Sequence, residues 1–189
     1  MDDIDIEIYL KYILKGRSEQ HYLGIFTIDS FNILDIRGRK NCSLILFIDN
    51  VSKNLGHWVS VIKINYKLYF IDSYGLPPTF YNKNIKNVYS EINYFLNTCL
   101  QSNLTTTCGS YAVFFIHLIS YCKYNLTVFT DIFFNNFNFL NLLKNDLYII
   151  KYISKVYPYF NKKKCNRFFC NNMFLSNYKK CHESICKSY

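Results

Sequence analysis

Residues 101–119 have the sequence QSNLTTTCGSYAVFFIHLI. A polar, threonine-rich loop leads to Cys108, and the apolar run that follows is long enough for a helix that is buried on most of its faces. The pattern therefore predicts a central helix whose first turn carries Cys108. The unpaired N–H groups at a helix start and the positive end of the helix dipole both favour the thiolate, which is the nucleophilic form of cysteine.

Two neighbours of Cys108 suit the same chemistry. Gly109 has no Cβ, so backbone and substrate can approach the sulfur closely. The backbone amides near Cys108, together with a side-chain N–H of Gln101, can hold a developing oxyanion. Taken alone, the stretch is nevertheless better explained by a cysteine that packs as a small buried hydrophobic residue.

A second stretch changes that balance. Residues 56–64 (GHWVSVIKI) and 67–75 (KLYFIDSYG) are rich in β-branched and aromatic residues, and Asn65-Tyr66 separates them, which predicts a β-hairpin. With a two-residue loop, His57 and Asp72 lie on one face within contact distance, whereas a loop one residue longer places them on opposite faces. A carboxylate on one imidazole nitrogen leaves the other nitrogen free to accept the proton of a thiol.

The order of these residues resembles the adenovirus-type cysteine proteases, the adenain family, within a wider set that includes the ubiquitin-like-protein proteases. The order histidine, acid, glutamine, cysteine is common to the whole set, and the seven-residue step from Gln101 to Cys108 resembles the adenovirus branch. Three other segments are also similar to the family: Tyr22-Leu23-Gly24, residues 146–160 and Cys181-His182. The resemblance thus covers most of the chain.

The resemblance implies a role for each matching residue. His57 would be the general base, Asp72 would orient it, Cys108 would be the nucleophile and Gln101 would contribute to the oxyanion hole. Trp58 and Gly109 would lie beside the substrate. The implied fold is α+β, with a central mixed β-sheet and a buried helix that starts at the catalytic cysteine.

The resemblance also implies a biological setting. A late viral protein would cleave capsid and core precursors after glycine, in the virion and in the host nucleus, with viral DNA and an activating viral peptide as stimulators and no tightly bound cofactor. Two departures bear on this. The acid is Asp72, where mammalian adenoviruses usually have glutamate, and the segment from Asp72 to Gln101 is shorter. It lacks a matching cysteine for a peptide disulfide, for which Cys99 is only a weak candidate.

The length and composition predict one domain over residues 1–189. Half of the residues are hydrophobic and 19% are aromatic, which argues against disorder over most of the chain. The N-terminus lacks the basic region of a signal peptide, so most of the eight cysteines are expected to be free thiols in a reducing compartment. The longest apolar run, residues 112–119, is too short to span a bilayer, and we expect a monomer without a membrane anchor.

Hydrophobic periodicity predicts further elements. Residues 4–15, 84–97 and 145–157 suit helices, and residues 43–48 suit a buried strand. In the first helix, Ile8, Ile13 and Leu14 are candidates for the core.

The positive charge is concentrated in a C-terminal segment, residues 161–189. Residues 1–150 contain 13 basic and 12 acidic residues, whereas residues 151–189 contain nine basic residues and a single acid. Basic residues interleaved with aromatic ones suit double-stranded DNA, although a solvated basic face has the same composition. The candidate DNA-binding residues are Lys162, Lys163, Lys164, Arg167, Lys179 and Lys180. Cysteine spacing in this segment is looser than in zinc knuckles, so no metal is expected.

Two alternative functions stay open on the sequence. A deubiquitinase or desumoylase would use the same four residues, and the pair Asp72-Ser73 is closer to that branch, whereas the step from Gln101 to Cys108 and the basic segment argue against it. A catalytically inactive nucleic-acid-binding protein would keep the fold without the chemistry.

Overall fold

A computed structural model describes residues 3–15, 21–32, 34–50, 55–81 and 91–156 of the chain. The fold is α+β, as predicted, with a five-stranded mixed sheet. Along the chain, one helix precedes the first strand, a short helix lies between the first two strands, and three helices follow the last strand. The strands are β1 (Tyr22–Thr27), β2 (Cys42–Asn50), β3 (Leu55–Ile64), β4 (Lys67–Ile71) and β5 (Ile92–Phe95). The helices are α1 (Asp3–Leu14), α2 (Leu34–Arg37), α3 (Cys108–Tyr121), α4 (Leu126–Asn136) and α5 (Leu142–Val156).

The strands lie in the spatial order β1-β2-β3-β4-β5. The three central strands are antiparallel, and each outer strand runs parallel to its neighbour. The predicted hairpin is confirmed, and because Ile64 pairs with Lys67, its loop has two residues, the shorter of the two lengths that the sequence left open. Asn65 and Tyr66 both have positive φ values, 50° and 67°, which is the geometry of the turn that matches the twist of a tight hairpin.

Helix α3 is the buried centre of the domain, as the apolar run predicted. It begins at Cys108 and packs against β3, where Ser60 Oγ donates a hydrogen bond to Ala112 O at 3.0 Å. Helices α1 and α5 pack against α3 as well. In α1, Leu14 is buried as predicted and Ile13 packs partly buried against the core, whereas the prediction for Ile8 was wrong because its side chain is 48% exposed.

A second apolar cluster covers the other face of the sheet. Side chains of α2 and of strands β2 to β4 form it, and the buried Cys42 belongs to it. Because both faces are covered, β2 is a continuous apolar run rather than an alternating one, and the predicted strand over residues 43–48 is confirmed.

The prediction of a helix over residues 84–97 was wrong for its last part. Ile92–Phe95 is strand β5, whose backbone pairs parallel to β4. The side chain of Asn93 accepts a hydrogen bond from Leu68 N at 2.7 Å, and Tyr94 stacks on Tyr69. Pairing with an open sheet edge outweighs the local helical pattern, which is a tertiary effect. Residues 82–90 lie outside the described ranges.

The last predicted helix is confirmed by α5, which covers Leu142–Val156, and the last predicted residue, 157, lies outside the described ranges. The basic C-terminal segment and its cysteines lie outside the described residues. Within the described ranges, no helix has both the length and the apolar character needed to cross a membrane.

Candidate active site

The structure brings Cys108, His57 and Asp72 together. His57 Nε2 donates to Asp72 Oδ1 at 2.7 Å, and a second hydrogen bond joins the His57 ring to the Cys108 thiol. Cys108 is the first residue of α3, His57 lies on β3 and Asp72 follows the last residue of β4. The three side chains therefore form a series of hydrogen bonds from thiol to imidazole to carboxylate, the arrangement that activates a nucleophile.

Asp72 is held by the loop that it begins. Its Oδ1 also accepts the N–H of Tyr74 at 2.9 Å, and its Oδ2 accepts the N–H of Leu76 at 3.2 Å and the hydroxyl of Tyr81. The carboxylate is fully buried. Because every oxygen is bonded, Asp72 cannot rotate away, and His57 Nε2 stays in its protonated, donating form.

The surroundings of the His57 ring favour its positively charged imidazolium form. Burial opposes its positive charge, but the hydrogen bonds to Asp72 and Cys108 outweigh burial and raise the pKa of His57 to about 9. Two aromatic rings also stack on the imidazole, Tyr74 with ring centroids 5.1 Å apart and Tyr81 with centroids 5.6 Å apart. Aromatic faces stabilise a neighbouring cation.

The Cys108 thiol has the opposite shift. Burial alone would raise its pKa, but the hydrogen bond and the charge of His57, together with a hydrogen bond from the backbone N–H of Trp58, lower it below the ordinary value. Cys108 as a whole is only partly buried. A low thiol pKa beside an imidazolium indicates a thiolate–imidazolium pair, and this pair distinguishes Cys108 from a packing cysteine.

The start of α3 is left without a side-chain cap. Thr107 is the N-cap residue, and its hydroxyl bonds to Asp146 Oδ1 at 3.2 Å instead of to the helix. The backbone N–H groups of the first turn, which include that of the buried Gly109, therefore remain available to an anion in front of Cys108. Trp58 contacts the site through its backbone N–H, which bonds to the Cys108 sulfur, while its indole packs on Phe47 with ring centroids 4.4 Å apart.

Gln101 is fully buried beside this site. Its Oε1 accepts the hydroxyl of Ser73 at 2.7 Å, and its Nε2 donates to Tyr74 Oη at 3.2 Å and to Thr105 O at 3.1 Å. Both N–H groups of the amide therefore donate hydrogen bonds within the protein. The order of the residues predicted Gln101 beside Cys108, but it did not predict the hydrogen bond from the Gln101 amide to Tyr74.

The Gln101 loop is fastened to the Asp72 loop. Ser73 O accepts the N–H groups of Leu100 at 2.8 Å and Gln101 at 2.9 Å. Gly75 makes this approach possible, because its φ is +70° and a Cβ there would lie 2.5 Å from the carbonyl carbon of Thr98. The loops that carry Asp72 and Gln101 are therefore joined directly by backbone hydrogen bonds.

Asp146 is the residue of this region that the sequence analysis did not identify. The buried carboxylate accepts hydrogen bonds from Ser102 N, Thr105 Oγ1, Thr107 Oγ1 and Tyr111 Oη, at 2.9–3.2 Å. Burial outweighs these bonds and raises the pKa of Asp146 to about 6. Asp146 ties the loop between Gln101 and Cys108 to α5. A signal was available, since Asp146 lies on the same helical stripe as the buried Ile149, Ile150 and Ile153.

The remaining predicted residues fall into two groups. Cys99 is exposed, and its sulfur lies 3.3 Å from Gln101 O. The candidate DNA-binding residues lie outside the described ranges. In the parts of the chain that the structure describes, no group of three or more histidine, cysteine or acidic side chains is placed to hold a metal ion.

No protein-family model matches the chain, and no curated protein matches it at a significant level. The site is therefore characterised by its geometry, a thiol, an imidazole and a carboxylate in hydrogen-bonded series at the start of a buried helix.

Proposed function

We propose that the chain is a cysteine endopeptidase of the adenain type. The observation that carries the proposal is the hydrogen-bonded series Cys108–His57–Asp72, with a lowered thiol pKa and a raised imidazole pKa. These shifts favour a thiolate next to an imidazolium, which supplies a nucleophile and an acid at the same time.

In the first half of the reaction, the thiolate of Cys108 attacks the carbonyl carbon of the scissile bond. A C–S bond forms, and the π electrons move to the carbonyl oxygen, which lies near the uncapped N–H groups of α3. His57 then donates its proton to the leaving nitrogen as the C–N bond breaks. The products are an amine and a thioester with Cys108.

In the second half, neutral His57 accepts a proton from a water molecule, and the water oxygen attacks the thioester carbon. The C–O bond forms, the C–S bond breaks, and the carboxylic acid product leaves with the thiolate and imidazolium restored. Asp72 keeps its negative charge throughout. It orients the ring and stabilises each imidazolium that forms.

The substrates and partners of the proposal rest on the resemblance of the residues quoted above to the adenain family. They are viral capsid and core precursors cut after glycine, double-stranded DNA as a stimulator and an activating viral peptide, for whose disulfide Cys99 is only a weak candidate. The virion and the host nucleus are the proposed locations. Basic residues of the C-terminal segment would bind the DNA phosphates.

The test is hydrolysis of a fluorogenic peptide that ends in Gly-Gly, with wild type, Cys108→Ala and Cys122→Ala. We expect cleavage by wild type and by Cys122→Ala, which removes a thiol at the far end of α3, and none by Cys108→Ala. A ubiquitin-like fusion serves as the second substrate. Cleavage of that fusion alone would replace the viral protease with a deubiquitinase or desumoylase.

The role of DNA is tested in the same assay by adding double-stranded DNA. We expect a rise in cleavage that falls steeply with salt, because phosphate contacts release counterions. Replacement of Lys162, Lys163 and Lys164 by glutamine should remove the rise and leave cleavage without DNA unchanged. DNA binding by a protein whose Cys108 is unreactive would instead indicate the inactive binding protein.

A further inference from the structure

The Gln101 amide has a fixed orientation. Thr105 O is a backbone carbonyl and can only accept a hydrogen bond, so the group 3.1 Å from it must be the nitrogen of the amide. The oxygen of the amide consequently faces Ser73 Oγ, which donates to it at 2.7 Å. The second N–H of the same nitrogen then points to Tyr74 Oη, 3.2 Å away.

This orientation decides what the Tyr74 hydroxyl does. An amide nitrogen only donates, so Tyr74 Oη is the acceptor of that bond and keeps its own hydrogen for another partner. In the hydrogen bonds of the described residues, no group accepts the Tyr74 hydroxyl hydrogen. Accepting a hydrogen bond polarises the O–H bond and makes the hydroxyl a better donor.

The position of Tyr74 is that of an active-site residue. Its ring stacks on His57 with centroids 5.1 Å apart, and its side chain is partly exposed. Burial, followed by the nearby charges of Cys108 and Asp146, raises the pKa of Tyr74 to about 12. The hydroxyl therefore stays protonated wherever the thiolate–imidazolium pair exists.

We propose that Tyr74 is a catalytic residue whose hydroxyl donates to the oxyanion, and that Gln101 is a positioning residue that acts through Tyr74. The proposal rests on the proposed peptidase activity. When the C–S bond forms and the carbonyl π pair moves to oxygen, the Tyr74 O–H shares its hydrogen with that oxygen and keeps its proton. The C–N bond then breaks with a proton from His57, as described above.

The test is the variant Tyr74→Phe, which keeps the ring on His57 and removes only the hydroxyl. Two probes separate the roles. A peptide aldehyde that ends in glycinal forms a tetrahedral adduct with Cys108 and needs the oxyanion site, whereas alkylation by iodoacetamide needs only the thiolate. We expect both kcat for the Gly-Gly peptide and the aldehyde affinity to fall roughly 10²-fold. The alkylation rate and its pH profile should stay within about twofold of wild type.

Two further variants complete the experiment. Tyr121→Phe is the matched control, because this tyrosine is exposed at the end of α3. Gln101→Ala should weaken the aldehyde affinity. The double variant Tyr74→Phe/Gln101→Ala should bind the aldehyde with the same affinity as Tyr74→Phe, because the two residues act as one unit. Unchanged alkylation of Tyr74→Phe shows that the site is still folded.

The outcomes are distinguishable. If wild type captures the aldehyde and Tyr74→Phe captures it equally or more tightly, the role of Tyr74 alone is overturned. The Tyr74 hydroxyl would then only accept the hydrogen bond from Gln101. Wild type that neither captures the aldehyde nor cleaves the peptide would overturn the proposed function together with the role of Tyr74.

Discussion

His57 Nε2 lies 2.7 Å from Asp72 Oδ1, although fifteen residues separate the two in sequence. A two-residue turn joins β3 to β4, and this register places both side chains on one face of the hairpin. The contact therefore depends on the length of a turn that lies at the opposite end of the strands. Its consequences for the imidazole are measurable.

Replacement of Asp72 by asparagine removes the charge that supports the imidazolium. We expect kcat/KM for the Gly-Gly peptide to fall roughly 10²-fold or more, because the protonated ring is less favoured and less well oriented. The alkaline limb of the pH profile should move from about 9 toward the ordinary histidine value of 6.5. Asp35→Asn, at an exposed position on α2, is the control. An alkaline limb that stays near 9 in Asp72→Asn would contradict the assignment.

The alkylation of wild type by iodoacetamide should select Cys108 over Cys99. Cys99 is the more exposed thiol, but burial against the protein raises its pKa, whereas the imidazolium lowers that of Cys108. Since the thiolate is the reactive form, Cys108 should react readily at pH 6, well below the range near 8.5 in which a free thiol gains reactivity. Peptide mapping by mass spectrometry after short exposures gives the two rates. Faster labelling of Cys99 at pH 6 would speak against the thiolate–imidazolium pair.

The hydrogen bonds of the buried Asp146 should contribute to the free energy of unfolding. Asp146→Ala leaves the donors of Ser102, Thr105, Thr107 and Tyr111 without their acceptor, and we expect the free energy of unfolding to fall by about 3 kcal/mol or more. Urea denaturation measures this change, with the exposed Asp131→Ala as the matched control. A loss no larger than that of the control would show that the loop does not depend on Asp146.

The pH dependence of the same contribution has a definite sign. Burial raises the pKa of Asp146 from 3.8 to about 6, so between these values the folded state binds more protons than the unfolded state. Stability from this group is then highest at the acidic end of the window and declines as pH rises through 6. The difference in unfolding free energy between wild type and Asp146→Asn should accordingly be larger at pH 4 than at pH 7. A difference that grows with pH would refute the direction of the shift.

Gly75 should tolerate no side chain. An alanine Cβ would lie 2.5 Å from Thr98 C and 2.7 Å from Cys99 N, in a backbone conformation with φ +70°. We expect Gly75→Ala to lower the free energy of unfolding by roughly 2 kcal/mol or more and to reduce kcat/KM, because the Gln101 loop must move away from the Asp72 loop. Gly38→Ala is the matched control, since a Cβ there meets no atom within 4 Å. Equal stability of the two variants would contradict the close packing.

Local pattern was sufficient for much of this fold. The apolar run after Cys108 predicted a buried helix and the paired β-branched stretches predicted a hairpin, whereas only the structure decided between the two loop lengths and so fixed the register. The helix and the hairpin depend on neighbours in sequence, whereas the contact of His57 with Asp72 also required the two-residue loop that the structure shows. The strand at Ile92–Phe95 did not follow, because its pairing partner is a distant sheet edge and its own residues suit a helix equally well.

The sequence by itself identified the candidate residues, a cysteine at a helix start, a histidine and an acid on one hairpin and a glutamine upstream. Only the tertiary structure decided how they are held. The packing of α5 against the loop makes Asp146 its anchor, and the contact of two loops at Gly75 turns the Gln101 amide toward Tyr74. Such contacts join segments that are far apart along the chain, and their geometry is set by the packing of the whole core rather than by any local pattern.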